Sequence, residues 1–262
     1  MNTSPHNDPV ILVLAGHDPT GAAGIQADIE TIHANAAKCI SVITALTAQN
    51  TVQFDKIIPQ DPMNFRKQVE LLLADIPVNA CKIGLIGSPD LIRIITDLVK
   101  KMGNIPVVVD PILQSGTGTL LSDSGIIDSF LTHLFPCATV ITPNLNEAYK
   151  LAGDKDPESA AETLLNTGCQ NVLITDTRPE MKTVINILYS PEKKPSVMEW
   201  ERLPGMYHGS GCTLSAAITA SLAQGVDIQT AVEKAQTYTW HTLKQGIKLG
   251  QGQLHPQRLI EY

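Results

Sequence analysis

Short apolar segments alternate with longer amphipathic segments along most of the chain. Residues 10–15 (VILVLA) form a bounded apolar run of strand length, which is typical of a buried strand. After it, Ile25, Ile29 and Ile32 recur at spacings of four and three, so we predict a helix with these side chains on one face. Further strands are predicted at residues 39–44, 80–86, 107–109, 138–141 and 172–175.

Helices are predicted between these strands. Ser88 and Pro89 have the residue types preferred at the N-cap and first position of a helix, and Gly153 is placed to end another helix. The predicted helices cover residues 65–74, 89–99, 122–134, 145–152, 212–223 and 228–243, and residues 183–189 and 196–202 are predicted to form a hairpin. This alternation predicts one α/β domain over residues 1–262, with a mostly parallel sheet covered on both faces.

The composition of the chain limits the kinds of partner and the cellular compartment that we expect for the protein. The net charge of −7 argues against nucleic acid or an anionic membrane as the main partner. Hydrophobic residues make up 43% of the chain, which is enough for a sizeable core. The five cysteines form no Cys-x-x-Cys pair, which predicts reduced thiols rather than a disulfide framework. Because the N-terminal segment MNTSPHNDP also lacks the features of a signal peptide, we expect a cytoplasmic protein.

The ends of the predicted strands are where a ligand is expected. In open parallel sheets, ligands bind outside the carboxyl ends of the strands. The chain has neither the G-x-x-x-x-G-K-[ST] motif of P-loop proteins nor a G-x-G-x-x-G dinucleotide motif, which excludes both of those phosphate sites. Polar residues or glycines abruptly follow the apolar runs at Gly16, His17, Asp18, Gly84, Asp110, Thr142 and Thr175.

The segment HGSGCTLSAAI at residues 208–218 is the sharpest candidate site. Gly209 and Gly211 permit a turn that no β-carbon obstructs, directly before an apolar helix. Because a helix N-terminus presents unpaired N–H groups and partial positive charge, Gly209, Ser210 and Gly211 are a candidate anion hole. Cys212 would lie on the first helical turn, where the pKa of a thiol is lowered. A glycine-rich turn beside a small buried cysteine explains the same spacing, and the sequence leaves both interpretations open.

Three acidic residues and two amides are further candidates. Asp28 lies one turn into the helix after the first loop, so its carboxylate can face the end of the first strand; an ordinary first-turn acid explains it as well. Asn144 and Glu147 are spaced as a capping box. Alternatively, Glu147 and Asp110 hold hydrated Mg²⁺, which prefers carboxylates. The amide of Gln49 can donate to and accept from a planar heterocycle, or simply belong to a turn.

Six segments together resemble the hydroxymethylpyrimidine/phosphomethylpyrimidine kinase family of thiamine biosynthesis, within the ribokinase-like superfamily. They are AGHDPTGAAGIQAD, SVITALTAQNT, CKIGLIG, VVVDPILQSG, VITPNLNEA and HGSGCTLSAAI, in the family's order and spread over residues 15–218. The resemblance implies a three-layer α/β/α ribokinase-like fold with a mostly parallel central sheet of about eight strands, usually in a homodimer. It also implies transfer of phosphate from ATP, with Mg²⁺, to an aminopyrimidine alcohol or to its monophosphate.

The resemblance also implies roles for individual residues. Ala23, Asp28 and Gln49 would contact the aminopyrimidine, and Thr47 and Leu85 would line its pocket. Gly209, Ser210 and Gly211 would form the anion hole, with Cys212 as the base. Asp110, Thr142, Asn144 and Thr175 would lie on the nucleotide side, and Glu147 and Asp110 would hold Mg²⁺.

The chain departs from the family pattern in several places. Family members commonly have Met where Leu85 stands and an apolar residue where Thr47 stands. The family usually has Lys-Gly-Gly where this chain has Thr175, Asp176 and Thr177, and often has Lys where Gln114 stands. These departures motivate one alternative, a kinase-fold protein that binds a pyrimidine without transferring phosphate. A second alternative keeps the chemistry and takes a pyridoxine-type alcohol, because that kinase is a close relative.

Overall fold

The computed structural model describes residues 8–114, 116, 118–121, 124–176, 178 and 181–259. Within these residues, nine strands form one sheet in the order β3-β2-β1-β4-β5-β6-β7-β8-β9. The strands are β1 (Val10–His17), β2 (Lys38–Gln49), β3 (Phe54–Pro59), β4 (Ala80–Ile83), β5 (Val107–Val109), β6 (Val140–Ile141), β7 (Val172–Asp176), β8 (Thr183–Tyr189) and β9 (Ser196–Glu201). The six from β1 to β7 other than β3 pair in parallel, whereas β3, β8 and β9 run antiparallel to their neighbours.

Helices cover both faces of the sheet, so the fold has three layers. The helices are α1 (Gly24–Ala34), α2 (Pro62–Asp75), α3 (Pro89–Lys101), α4 (Ser124–Ser129), α5 (Leu145–Ala152), α6 (Pro157–Leu165), α7 (Ser210–Ala223) and α8 (Ile228–Lys244), and α4 continues into a π-turn and a 3₁₀ turn. Along β1, Leu12 and Leu14 pack under α2 to α6, while Ile11 and Val13 pack against α1 and α7. Because both sides of the strand are buried, its sequence is continuously apolar rather than alternating.

Two predicted helix boundaries are confirmed by their caps. The hydroxyl of Ser88 accepts a hydrogen bond from the amide of Leu91 at 3.3 Å, and Pro89 opens α3. Gly153 ends α5 with φ at 70°, a left-handed conformation that favours glycine. Local sequence therefore fixes these ends.

Other elements differ from the sequence predictions. β3 and α6 were not predicted, and Ser122, the predicted start of the fourth helix, lies outside the described residues. Ile29 is 41% exposed, whereas Ile25 and Ile32 on the same helix are buried. The predicted three-residue stripe is therefore wrong at its middle position. No helix in the described part of the chain is long and apolar enough to cross a membrane.

The two isoleucines of α1 provide a matched test of this packing. Ile32 is fully buried beside β1, whereas Ile29 on the same helix is largely open to solvent. We expect Ile32→Ala to lower the free energy of unfolding by about 2–5 kcal/mol and Ile29→Ala by less than about 1 kcal/mol. Urea unfolding followed by circular dichroism measures both, and equal losses would contradict this packing of α1.

Candidate active site

A cleft of about 360 Å³ lies at the carboxyl ends of the parallel strands. The strand-end residues that line it are Gly16, His17, Asp18, Leu85, Asp110, Thr142 and Thr175. A cleft therefore lies at the edge of the sheet where a ligand was expected, and the predicted strand-end residues line it with one exception. Gly84 is not among the residues that line the cleft; a β-carbon there would instead lie 2.8 Å from the ammonium of Lys82, behind it.

The glycine turn, which we define as residues Gly209, Ser210, Gly211 and Cys212, opens into this cleft. Gly209 precedes α7 with φ at 87°, and a β-carbon there would collide with the carbonyl of Ala22. The first N–H to bond along the helix is that of Thr213, to Gly209 oxygen at 2.9 Å. The amides of Ser210, Gly211 and Cys212 precede it, so they have no partner within the helix and can bind an anion.

Gly211 does not need to be glycine for conformational reasons. A β-carbon at Gly211 would lie 3.7 Å from a carboxylate oxygen of Asp110, which is ordinary contact distance. The structure therefore requires glycine at position 209, whereas a β-carbon could be accommodated at position 211. The same distance shows that the start of α7 stands directly over the end of β5.

Cys212 lies on the first turn of α7, as predicted, but its chemistry differs from the prediction. The side chain is buried, and burial raises the pKa of the thiol to about 12, although the nearby charge of Lys82 acts to lower it. The expected lowering of this pKa by the helix terminus is therefore wrong, because the thiol is withdrawn from water. A thiol with such a pKa is protonated at neutral pH.

One end of the cleft is an uncharged pocket formed from β1, β2 and β4. Ala23, Thr47, Gln49 and Leu85 line it together. The amide of Gln49 donates to the hydroxyl of Thr47 at 2.9 Å, and that hydroxyl donates to the carbonyl of His17 at 2.9 Å. These bonds fix Gln49 at the pocket wall, where its amide oxygen can accept from a ligand. The four residues that the family resemblance assigns to the aminopyrimidine thus line one cleft, and their contact with it stays a prediction.

Asp28 was predicted to face the cleft, and that prediction is wrong. Its side chain is 0% exposed, and both carboxylate oxygens lie 2.9 Å from the ammonium of Lys82, which is equally buried. Burial alone would lower the pKa of Lys82, but the negative charge of Asp28 raises it. Burial raises the pKa of Asp28, and the charge of Lys82 acts against that rise, so each buried group stabilises the charge of the other below the cleft floor. The sequence did not reveal this because Lys82 is distant in the chain and sits inside a strand.

Asp18 and His208 form a polar contact that the sequence analysis left unassigned. The imidazole Nε2 of His208 lies 3.2 Å from a carboxylate oxygen of Asp18, which also accepts from the amide of Ala23 at 3.0 Å. Although burial alone would raise the pKa of Asp18, hydrogen bonds from His208 and Thr20 lower it. The pair links the first loop to the residue just before the glycine turn.

Arg258 ties the same two segments together from the C-terminal side. Its guanidinium is 2% exposed and donates to the carbonyls of Gly21 and Ala22, to the hydroxyl of Thr213 at 2.9 Å and to the carboxylate of Glu30 at 3.1 Å. A buried guanidinium must be fully hydrogen-bonded to be tolerated. The first loop and α7 are therefore held in one geometry. Sequence alone gave no signal for Arg258.

The other end of the cleft is formed by the ends of β6 and β7. Thr142, Asn144 and Thr175 line it, and Asn144 and Glu147 form the predicted capping box. The side chain of Asn144 accepts from the amide of Glu147 at 3.0 Å, and the carboxylate of Glu147 accepts from the amide of Asn144 at 3.0 Å. The structural interpretation of this motif is confirmed. Thr177, which completes the predicted departure from the family pattern, lies outside the described residues.

Asp110 and Glu147 are buried carboxyls beside each other at the cleft. Burial raises the pKa of Asp110 to about 6. Burial and then the charge of Asp110 raise the pKa of Glu147 to about 8. The hydroxyl oxygen of Thr142 is buried without a hydrogen-bond partner among the described residues. These oxygen donors fit Mg²⁺, which uses one or two carboxylates and completes its shell with water and phosphate; the described residues contain no group of three His, Cys, Asp or Glu that could hold a metal alone.

The fold and the cleft define a class of protein: small-molecule kinases with a ribokinase-like α/β/α fold. The sequence matches the family model described as phosphomethylpyrimidine kinase over residues 18–257. The chain therefore belongs to the phosphomethylpyrimidine kinase family, and it is a phosphotransferase.

Individual relatives agree with this assignment. A hydroxymethylpyrimidine/phosphomethylpyrimidine kinase of Streptomyces coelicolor is 35% identical over 261 residues, which cover 95% of this chain and 94% of the relative. A crystal structure of a phosphomethylpyrimidine kinase from Clostridium difficile is 34% identical with a TM-score of 0.79, covering 90% of this chain and 100% of that one. An ADP complex of a Bacillus subtilis pyridoxal kinase is 30% identical with a TM-score of 0.86, covering 96% and 98%.

Gly209 offers a direct test of the glycine turn. We expect Gly209→Ala to lower turnover by roughly 100-fold or more, because the β-carbon displaces the carbonyl of Ala22 and misdirects the amides of α7. Gly225→Ala is the matched control, since Gly225 also has a positive φ but no atom within 4 Å of an added β-carbon. Phosphate-transfer rates of both variants provide the measurement, and equal activities would show that the turn is not part of the site.

Glu147 leads to a prediction about pH and stability. The pKa of Glu147 is about 8 in the folded protein against an ordinary 4.5, so the folded state binds a proton more tightly than the unfolded state. This contribution to stability is complete below pH 4.5 and is lost as the pH rises through about 8. With divalent metal removed by a chelator, the free energy of unfolding should fall over this range more in the wild type than in Glu147→Gln, by on the order of 5 kcal/mol.

The control for this comparison is Glu158→Gln, which removes an exposed carboxylate from the first turn of α6. Its pH profile should parallel that of the wild type. If Glu147→Gln also parallels the wild type, the carboxyl of Glu147 does not titrate in the stated range.

Proposed function

We propose that the protein transfers the terminal phosphate of ATP to the hydroxymethyl group of 4-amino-5-hydroxymethyl-2-methylpyrimidine, to its monophosphate, or to both, in thiamine biosynthesis. The observation that supports this most strongly is the position of the glycine turn. It opens into the cleft over Asp110 at the end of β5, between the uncharged pocket and the polar end at β6 and β7. An alcohol on one side and a nucleotide on the other would therefore meet at the amides of α7.

The uncharged pocket suits an aminopyrimidine. Gln49 can donate and accept in the plane of a heteroaromatic ring, and the side chains of Ala23 and Leu85 can pack against its faces. We assign Thr47 a supporting role, because its hydroxyl already bonds Gln49 and the carbonyl of His17. Asp28 is withdrawn from this assignment, since it is buried against Lys82.

The glycine turn supplies the electrostatic part of catalysis. Phosphate transfer proceeds through a loose transition state with negative charge spread over the transferred oxygens. The amides of Ser210, Gly211 and Cys212 are already oriented by α7, so they can stabilise that charge without reorganising. Asp110, Glu147 and Thr142 would hold Mg²⁺, which when bound neutralises charge on the phosphates. Thr175 and Asn144 complete the nucleotide side.

Cys212 is the group that we assign to receive the proton of the alcohol, as a thiolate that forms once its own proton has passed to water. It stands on the first turn of α7 and lines the cleft, although burial raises the pKa of the thiol to about 12 and so favours its protonated form. The charge of Lys82 favours its ionisation. In a loose transition state the alcohol proton leaves late, so the demand on this base is modest.

Turnover on each substrate and the Cys212→Ala variant test this function. Release of ADP should depend on the pyrimidine alcohol or its monophosphate, and no turnover above background on either would contradict the assignment. Cys212→Ala should lower kcat by roughly 100-fold or more while calorimetry still detects pyrimidine binding. Cys169→Ala is the control, because Cys169 is a buried cysteine within the opposite core. Undiminished turnover in Cys212→Ala would assign the proton to another group.

A pyridoxine-type alcohol is the second candidate acceptor. It is favoured by the similarity to the Bacillus subtilis pyridoxal kinase, whose TM-score exceeds that of the Clostridium difficile phosphomethylpyrimidine kinase. Competition of the two alcohols in one assay distinguishes them by their ratio of kcat/KM. A homodimer remains an expectation from the family resemblance.

A further inference from the structure

Among the residues that the structure describes, one permanently charged basic side chain, that of Arg178, lines the cleft. The lining contains three carboxylic residues, Asp18, Asp110 and Glu147, and Arg178 is its single Arg or Lys. Lys82 is close behind the floor but is fully buried and committed to Asp28. A nucleotide with several negative charges that enters this cleft therefore meets one arginine.

The sheet order places Arg178 at a defined end of the cleft. Thr47 lies on β2 and Thr175 on β7, and four strands separate β2 from β7, which corresponds to roughly 24 Å at the usual strand spacing. The start of α7 stands over Asp110 at the end of β5, between these two ends. Arg178 follows the end of β7, on the side of the transfer point away from the uncharged pocket.

The guanidinium of Arg178 is held at this place by the chain around it. Its Nε lies 3.0 Å from both carboxylate oxygens of Asp176, and its Nη2 lies 2.7 Å from one of them. From behind, Arg202 donates to the carbonyl of Arg178 and to that of Met181, each at 2.6 Å. The side chain of Arg178 is nevertheless 47% exposed. The guanidinium is thus oriented by a carboxylate but remains open to the cleft.

We propose that Arg178 binds the phosphates of the nucleotide on the leaving-group side, and so supplies the cation of the nucleotide end. This inference rests on the proposed function, because it takes ATP as the phosphate donor. Arginine suits this task since its planar group makes charged hydrogen bonds to phosphate oxygens. Asp176 positions the guanidinium and competes with the nucleotide for it. Binding of ATP and of ADP should both depend on Arg178, and the chemical step should depend on it little.

Calorimetric titration with Mg-ADP and with adenosine tests this role. For Arg178→Gln, we expect the Kd for Mg-ADP to rise roughly 10- to 100-fold, as for loss of hydrogen bonds to a charged group. The Kd for adenosine should not change, because adenosine has no phosphate. Asp176→Asn should lower the Kd for Mg-ADP, since it removes the competing carboxylate. In turnover, Arg178→Gln should raise the KM for ATP with kcat within a few-fold of the wild type.

Arg93→Gln is the matched control, because Arg93 forms a similar short-range exposed pair with Asp90 on α3. It should bind Mg-ADP like the wild type. The inference is overturned if Arg178→Gln binds Mg-ADP within twofold of the wild type, or if it loses adenosine binding equally, which would indicate a structural role. If the wild type binds no Mg-ADP, both the proposed use of ATP and the role of Arg178 are contradicted. If Mg-ADP binding behaves as expected but no pyrimidine is phosphorylated, only the assigned acceptor is wrong.

Discussion

The contact between Gly209 and the carbonyl of Ala22 sets the geometry of the whole site. The space there excludes any side chain, so the start of α7 lies directly against the loop that follows β1. Arg258 then fixes the same carbonyl and the hydroxyl of Thr213. One segment carries Ala23 at the uncharged pocket and the other carries three oriented amides. Their separation is therefore determined by backbone contact rather than by mobile side chains, which is what a reaction that depends on positioning requires.

The charged groups buried below the cleft influence the acidic side chains that line it. Lys82 and Asp28 are paired inside the protein, and the charge of Lys82 acts to lower the pKa values of Asp110 and of Cys212 against the effect of burial. The raised pKa of Glu147 then reflects burial and the neighbouring Asp110. A cation bound beside Asp110 and Glu147 would favour their ionised forms and so oppose the effect of burial. Such clusters of perturbed groups are typical of functional sites rather than of stabilising surface pairs.

Much of the fold was predictable because it is encoded locally. The apolar run of β1, the cap at Ser88 and the stop at Gly153 each depend on a few adjacent residues. Long-range contacts were not predictable in the same way. The burial of Asp28 depends on Lys82, and the position of the first loop depends on Arg258 near the other end of the chain. Neither contact can be predicted from neighbouring residues in the sequence. Helix periodicity also did not show that Ile29 faces solvent.

The site residues likewise include some that a local sequence pattern predicts and some that only long-range contacts reveal. Strand ends and the glycine turn located the cleft, because parallel strands bring their carboxyl ends to one edge. The pKa of Cys212 was predicted in the wrong direction, because the helix terminus is visible in the sequence and the burial of the thiol is not. His208 and Asp18 lie in two different motif segments, and only the fold shows that they contact each other. Arg178 lies between two motif segments, in neither of them, and became notable only once the charges of the cleft were known.

A crystal structure of the protein with the pyrimidine alcohol and the β,γ-methylene analogue of ATP would test the central claim most directly. The terminal phosphate should lie at hydrogen-bonding distance, about 2.7–3.2 Å, from the amides that begin α7, with the hydroxyl of the pyrimidine facing it from the pocket of Gln49. A terminal phosphate bound elsewhere, with those amides turned to solvent or to protein acceptors, would contradict it.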